Sequence, residues 1–288
     1  MSENLNKRIV NIFRRNLGED VVDIIDCSKG IEQVVKIVET KTTRYIFKLP
    51  HWGSESMVYR ENFACSHIKN VPLPKIIIKG RDYIIESFIA GQSLNELKIS
   101  QRQQAKIYIY LGRYINKIHS LKMRGFGELQ KNACGKHSVP IDYVEFLLKQ
   151  HRSSLLKTKL FDKALIQRLQ NYLHDNIVLF TNESVLLHGD LIDNNILINK
   201  NKISGLIDFG DASCGSREYD LAKIYIEKNS KIFNEVLNGY GKKLVNMEKV
   251  KYFAVLHLLY MIPYFYSTNK VKYVKCMRLL KSLIKNQV

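Results

Sequence analysis

The chain is expected to fold as an α+β protein of two lobes, the first built on an antiparallel sheet and the second mainly helical. Three observations predict this. Short β-branched and aromatic runs fill the first third, helical periodicity dominates from about residue 91 onward, and Gly91-Gln92-Ser93-Leu94 separates the two patterns as a hinge. The division is therefore residues 1–90 and 91–288, with a cleft expected at the hinge. A chain of 288 residues with 45% apolar content can bury a substantial core, and no internal repeat or low-complexity tract is present.

Each element follows from local pattern. Asn4 to Leu17 places Leu5, Ile9, Ile12 and Phe13 at helical spacing, and Gly18 stops the helix. Val21 to Ile25, Val34 to Val38 and Arg44 to Leu49 read as a meander of strands, and Pro50 ends the third. Ser54 or Ser56 caps a helix to about Ile68, which Asn70-Val71-Pro72-Leu73-Pro74 breaks before strands at Lys75 to Ile78 and Tyr83 to Phe88. From Gly91 to Gly125 the pattern is helical, as it is from about Tyr143 to Leu179 and again from Asp220 onward. A single small strand pair interrupts the second lobe.

Composition narrows the setting. The longest apolar run near the C-terminus, Phe253 to Tyr266, is shorter than the roughly 20 residues a membrane span needs and reads as a buried core helix. Met1 to Arg15 lacks a signal-peptide pattern, and Cys27, Cys65, Cys134, Cys214 and Cys276 form no metal-ligand spacing, so reduced thiols and a cytoplasmic location are expected. The formal charge of +18 would suit an anionic partner, but the lysines are spread over nearly every segment rather than gathered in a stripe, which argues against nucleic acid. A monomer without membrane association is the expectation.

Two short turns carry the chemistry. His188-Gly189-Asp190 is followed at five residues by Asn195, and Asp208-Phe209-Gly210 comes after a segment long enough for one tight hairpin. An isolated Asp-Phe-Gly is a common turn; the ordered combination is far rarer. Phosphoryl transfer needs these groups: a carboxylate to orient or accept the acceptor hydroxyl (Asp190), and an amide and a second carboxylate to hold magnesium (Asn195 and Asp208). Asp193 and Asn194, inside the same loop, read as solvated turn residues.

The nucleotide end is read from the first lobe. Lys48 in the strand Tyr45-Ile46-Phe47-Lys48-Leu49 has a defined face and suits α/β-phosphates, with Glu61, thirteen residues on, as its partner and Glu55 as the competitor. The hairpin from Asp26 to Gln33, with Ser28 and Gly30, is the candidate phosphate-covering loop, although it lacks a Gly-x-Gly-x-x-Gly pattern. Glu86 to Ile89, including Phe88, is expected to form the adenine-facing hinge through backbone groups. Only eleven residues separate Asp208 from Asp220 and no Ala-Pro-Glu follows, so an activation segment of protein-kinase length has no room. Asp220 reads as a carboxylate that pins the catalytic loop.

These residues resemble the aminoglycoside phosphotransferase family over nearly the whole chain. His188-Gly189-Asp190 with Asn195, Gly205-Leu206-Ile207-Asp208-Phe209-Gly210-Asp211-Ala212 and Tyr219-Asp220-Leu221-Ala222 carry the resemblance, supported by Phe47-Lys48-Leu49-Pro50 and Ile118-His119-Ser120-Leu121. It implies a bilobal protein-kinase-like fold, ATP or GTP as donor, Mg2+, a small-molecule hydroxyl as acceptor, and a role in antibiotic resistance. The Gly-Leu-Ile-Asp-Phe-Gly-Asp-Ala run looks most like the branch that phosphorylates the 2'' hydroxyl.

One feature strains the aminoglycoside reading. A polycation calls for carboxylates around the acceptor, yet after Asp220 the acids are Glu227, Glu235 and Glu248, and the last forty residues contain none. The same tail holds Tyr252, Phe253, Tyr260, Tyr264, Phe265, Tyr266 and Tyr273, either a helix core or an aromatic wall for a macrolide, a sugar or choline. Kinases for those acceptors are the alternative within the fold. A nucleotide-binding pseudokinase is the non-enzymatic alternative, against which stands the presence of Lys48, Glu61, Asp190, Asn195 and Asp208 together.

Overall fold

The computed structural model describes residues 2–27, 33–51, 55–158, 160–176 and 183–284, which form two compact units. The first comprises residues 1–97 and 193–211, the second residues 98–192 and 212–288. The linear division at residue 90 thus leaves out one exchange, because the segment 193–211 belongs with the first unit.

In the first unit, β1 (Val21–Asp26), β2 (Gln33–Thr40), β3 (Arg44–Pro50), β4 (Ile76–Lys79) and β5 (Ile84–Ser87) form an antiparallel sheet of order β1-β2-β3-β5-β4. Register decides which side chains share a face. Phe47 pairs with Ile85 across β3 and β5, and with Val38 and Tyr45 these residues pack against Ile9 and Phe13 of α1 (Ser2–Leu17). Ile46 pairs with Glu86, so Lys48, two residues along, lies on the same opposite face as Glu86. The helix α2 (Glu55–His67) presents Glu61 to that face, where it meets Lys48.

A second, smaller sheet belongs to the same unit. β6 (Gln92–Ser93) pairs with β11 (Ile196–Asn199), which pairs with β12 (Lys202–Leu206). Lys200 and Asn201, both at positive φ, make the tight turn between β11 and β12. Gly91 precedes β6 where a Cβ would lie 3.0 Å from the Ile198 carbonyl, so a side chain there would push the strands apart. The expected helix cap at Ser93 is real but short: its hydroxyl accepts from Asn95 N and caps a single 3-10 turn, Leu94–Glu96.

The second unit is mainly helical, as expected, but holds more strand than the single pair read for it. Besides α3 (Gln101–Ile118), α4 (Pro140–Thr158), α5 (Lys163–Asp175), α6 (Glu218–Glu227), α7 (Ser230–Tyr240), α8 (Met247–Thr268) and α9 (Lys270–Leu283), it contains a five-stranded sheet. Its order is β7-β10-β13-β8-β9, from β7 (Lys122–Met123), β8 (Phe126–Leu129), β9 (Gly135–His137), β10 (Ser184–Leu187) and β13 (Ser213–Gly215). The strands run two to four residues, too short for a period of two to register, and β10 is buried at every position, so it shows no alternation. The helical block expected from Tyr143 to Leu179 is likewise divided, because Asp162 accepts from Leu165 N and starts a new helix.

The apolar C-terminal run is a core helix only in part. In α8 the residues from Phe253 to Ile262 are largely buried, whereas Tyr260, Tyr264 and Tyr266 are 61%, 42% and 47% exposed. Among the described residues no helix is long and apolar enough to cross a membrane.

Candidate active site

Lys48 is the centre of the candidate residues in the first unit. Its Nζ donates to Glu61 Oε1 at 2.9 Å and lies 3.1 Å from Glu86 Oε2, with all three side chains buried. Glu55, the competing partner, instead pairs with Arg81 on the surface at 2.7 Å. Burial opposes the ammonium charge, but Glu61, Glu86 and Asp208 together raise the Lys48 pKa well above its ordinary value. Burial also raises Glu61, and there the attraction of Lys48 is outweighed further by repulsion from Glu86 and Asp208. For Lys48 the surrounding carboxylates outweigh burial, and for Glu61 burial together with the neighbouring carboxylates outweighs the single ammonium.

Glu86, read as part of the hinge through its backbone, turns its side chain to Lys48, and among the described residues its Oε1 is buried without a hydrogen-bond partner. Phe88 is half-buried, with the Arg44 guanidinium 5.8 Å from its ring. Ser28 and Gly30 lie outside the described residues.

The β11–β12 hairpin carries the two magnesium candidates into the same unit. Asn195 ends a 3-10 turn, Asp193–Asn195, and is buried, while Asn194 is exposed as expected of a turn residue. The Asn195 carbonyl accepts from Ile207 N at 3.0 Å, which ties the start of β11 to the residue before Asp208. Asp208 has φ +69°, a left-handed conformation that Asp tolerates better than most side chains. Its Oδ1 accepts from Gln33 Nε2 at 3.0 Å, and buried Arg60 donates to the Gly210 carbonyl two residues on. A carboxylate and an amide oxygen are hard donors of the kind Mg2+ takes, so this pair fits the ion.

The second unit supplies Asp190 at the end of a tightly anchored loop. Asp220 of α6 accepts His188 N on Oδ2 at 2.8 Å and Gly189 N on Oδ1 at 3.0 Å. Gly189 has φ +84°, which is what lets two successive amides face one carboxylate. His119 at the end of α3 lies 3.1 Å from Asp220 Oδ2 through Nε2 and 3.0 Å from the Tyr240 hydroxyl through Nδ1. Burial opposes ionisation of Asp220, but the hydrogen bond from His119, the charges of His119 and His188 and the His188 amide hold its pKa below the ordinary value.

Loss of that carboxylate should be visible. Asp220→Ala is expected to lower both thermal stability and turnover, at about 1–3 kcal/mol for each buried donor left unpaired. Asp220→Asn, which keeps one acceptor oxygen, should recover part of the stability in a denaturant titration.

Two functional contacts escape the sequence reading. Glu86 on Lys48 is a consequence of strand register, and Lys223 of α6, which pairs with Asp190 Oδ1, reaches it from thirty-three residues away. The only sequence signal for the second was the three-residue step from Asp220 to Lys223, one helical turn.

A family model described as "Phosphotransferase enzyme family" matches residues 23–253. The fold is shared with the aminoglycoside phosphotransferase APH(4)-Ia at a TM-score of 0.77 and 15% identity, covering 100% of both chains. It is also shared with APH(2'')-IIa, solved with gentamicin, at a TM-score of 0.68 and 18% identity over 95% of each chain. The macrolide 2'-phosphotransferase MphH from Brachybacterium faecium matches at 0.62 and 15% identity over 98% of each chain. No curated protein shows significant sequence similarity to the chain. Since the family match runs from β1 into α8 and takes in Lys48, Asp190, Asn195 and Asp208, the chain belongs to the phosphotransferase enzyme family.

Proposed function

We propose that the protein transfers the γ-phosphoryl group of ATP or GTP to a hydroxyl of an aminoglycoside antibiotic. The observation that carries the reading is the buried Lys48–Glu61 pair, an ammonium fixed on a sheet face by a helix carboxylate, as nucleotide phosphates require. Neighbours solved with ADP or AMP-PNP and hygromycin B support a nucleotide donor.

In this mechanism Lys48 holds the α- and β-phosphates, and Asn195 and Asp208 hold Mg2+, which when bound neutralises charge on the phosphate oxygens. Asp190 accepts the proton of the acceptor hydroxyl as its oxygen attacks the γ-phosphorus. The bond from that phosphorus to the β,γ-bridging oxygen breaks, and the nucleoside diphosphate leaves with the electron pair. Asp220 accepts the His188 and Gly189 amides and so holds in place the loop that carries Asp190.

A second acceptor class has its own support. In the second unit Glu183 is taken by Lys122 and Arg217, Glu218 by Ser216 and the Asn246 amide, and Asp190 by Lys223. Glu183 and Asp190, already paired with cations, attract a polycation weakly, which favours an acceptor of low positive charge such as a macrolide or a neutral sugar. A screen following labelled γ-phosphate from both nucleotides into aminoglycosides, macrolides, choline and sugars tests the proposal. Transfer to an aminoglycoside is the expected result. Transfer confined to a macrolide or sugar would establish the second reading, and nucleotide binding without transfer to any hydroxyl would defeat both.

A further inference from the structure

We propose that Lys223 is a positioning residue for Asp190, so that one turn of α6 sets the geometry of the whole catalytic loop; the inference rests on the phosphotransferase reading above. Asp220 and Lys223 are three residues apart and share a face of α6. Asp220 takes the amides of His188 and Gly189, and the Lys223 ammonium takes Oδ1 of Asp190. Three consecutive loop residues are thereby tied to a single helical turn, two through the backbone and the third through its side chain.

The pair is shielded enough to hold a rotamer. The Lys223 and Asp190 side chains are 19% and 29% exposed, well below a surface ion pair such as Lys7–Glu3 at 72% and 85%. Removing the ammonium takes away one fixed anchor of the Asp190 carboxylate, and a general base displaced by about 1 Å loses about 10²-fold in rate. Lys223 acts through Asp190.

The test uses the full chain with magnesium, nucleotide and an accepted hydroxyl compound. Lys223→Met is expected to lower kcat by about 10²-fold with the nucleotide KM unchanged, and Lys223→Arg to recover part of the rate. In an Asp190→Asn background the same methionine change should cost nothing further. Lys223→Gln replaces it should the methionine variant fail to fold. Wild-type kcat in Lys223→Met, or an equal loss in the Asp190→Asn background, would overturn the assignment. A wild-type protein that transfers phosphate to no acceptor defeats the phosphotransferase reading instead. Independently of turnover, the 15N resonance of the Lys223 ammonium should move on Asp190→Asn, and an unmoved signal overturns the pairing whatever the activity.

Discussion

Asp190→Ala is expected to lower kcat for phosphoryl transfer by about 10²- to 10⁴-fold while nucleotide binding persists. The backbone of the loop stays fixed by Asp220, so the substitution removes the proton acceptor, together with its ion pair to Lys223, and leaves the His188 and Gly189 anchors in place. Asp208→Ala should differ in kind. It removes an oxygen donor and releases Gln33, so nucleotide affinity measured by calorimetry should lose its dependence on magnesium as turnover falls. If Asp190→Ala retained wild-type turnover, another base would have to be found; if Asp208→Ala kept its magnesium dependence, the metal lies elsewhere.

The second large effect concerns Lys48. Lys48→Met strips the ammonium from between Glu61 and Glu86, and breaking a buried pair in this way costs about 3–5 kcal/mol because the remaining charge is uncompensated. Here two carboxylates are left, and Glu61, whose pKa burial already holds above the ordinary value, loses the one charge that lowered it and rises further above its unfolded value. The native state binds more protons, and stability falls as pH rises. Urea titrations of Lys48→Met should show a larger deficit at about pH 8 than at about pH 5. Adding Glu86→Gln should return part of the stability without returning activity. A variant as stable as wild type at both pH values would mean that the two glutamates do not depend on Lys48.

The sequence was informative wherever chemistry depends on local spacing. Glu61 was separable from Glu55 because a mid-helix position thirteen residues after Lys48 leaves room for the strand end and a loop. The hairpin between Asn195 and Asp208 followed from length alone, and Asp220 as the loop anchor from its place after the second turn. What stayed hidden depends on long-range registration. Glu86 reaches Lys48 because Ile46 pairs with Glu86, a fact of β3–β5 alignment that neither strand's composition contains. Lys223 reaches Asp190 only once α6 is docked on the loop. The strands from β7 to β10 and β13 are each too brief to carry a period, and β10 and β13 are buried at every position.

The first unit is not a contiguous stretch of chain. It closes only when residues 193–211 return to it, bringing β11 as the partner of β6 and Asn195 and Asp208 as the candidate metal donors. A fragment ending at Leu97 would keep Lys48, Glu61 and Glu86 but leave β6 with an open edge and the metal donors on the other piece. Splicing the first ninety-seven residues of a relative onto this chain would therefore pair one protein's phosphate-binding lysine with another's metal ligands and hairpin. Inheritance of the two has to be joint, so natural recombination should preserve them as a linked pair separated by some hundred residues of independent sequence.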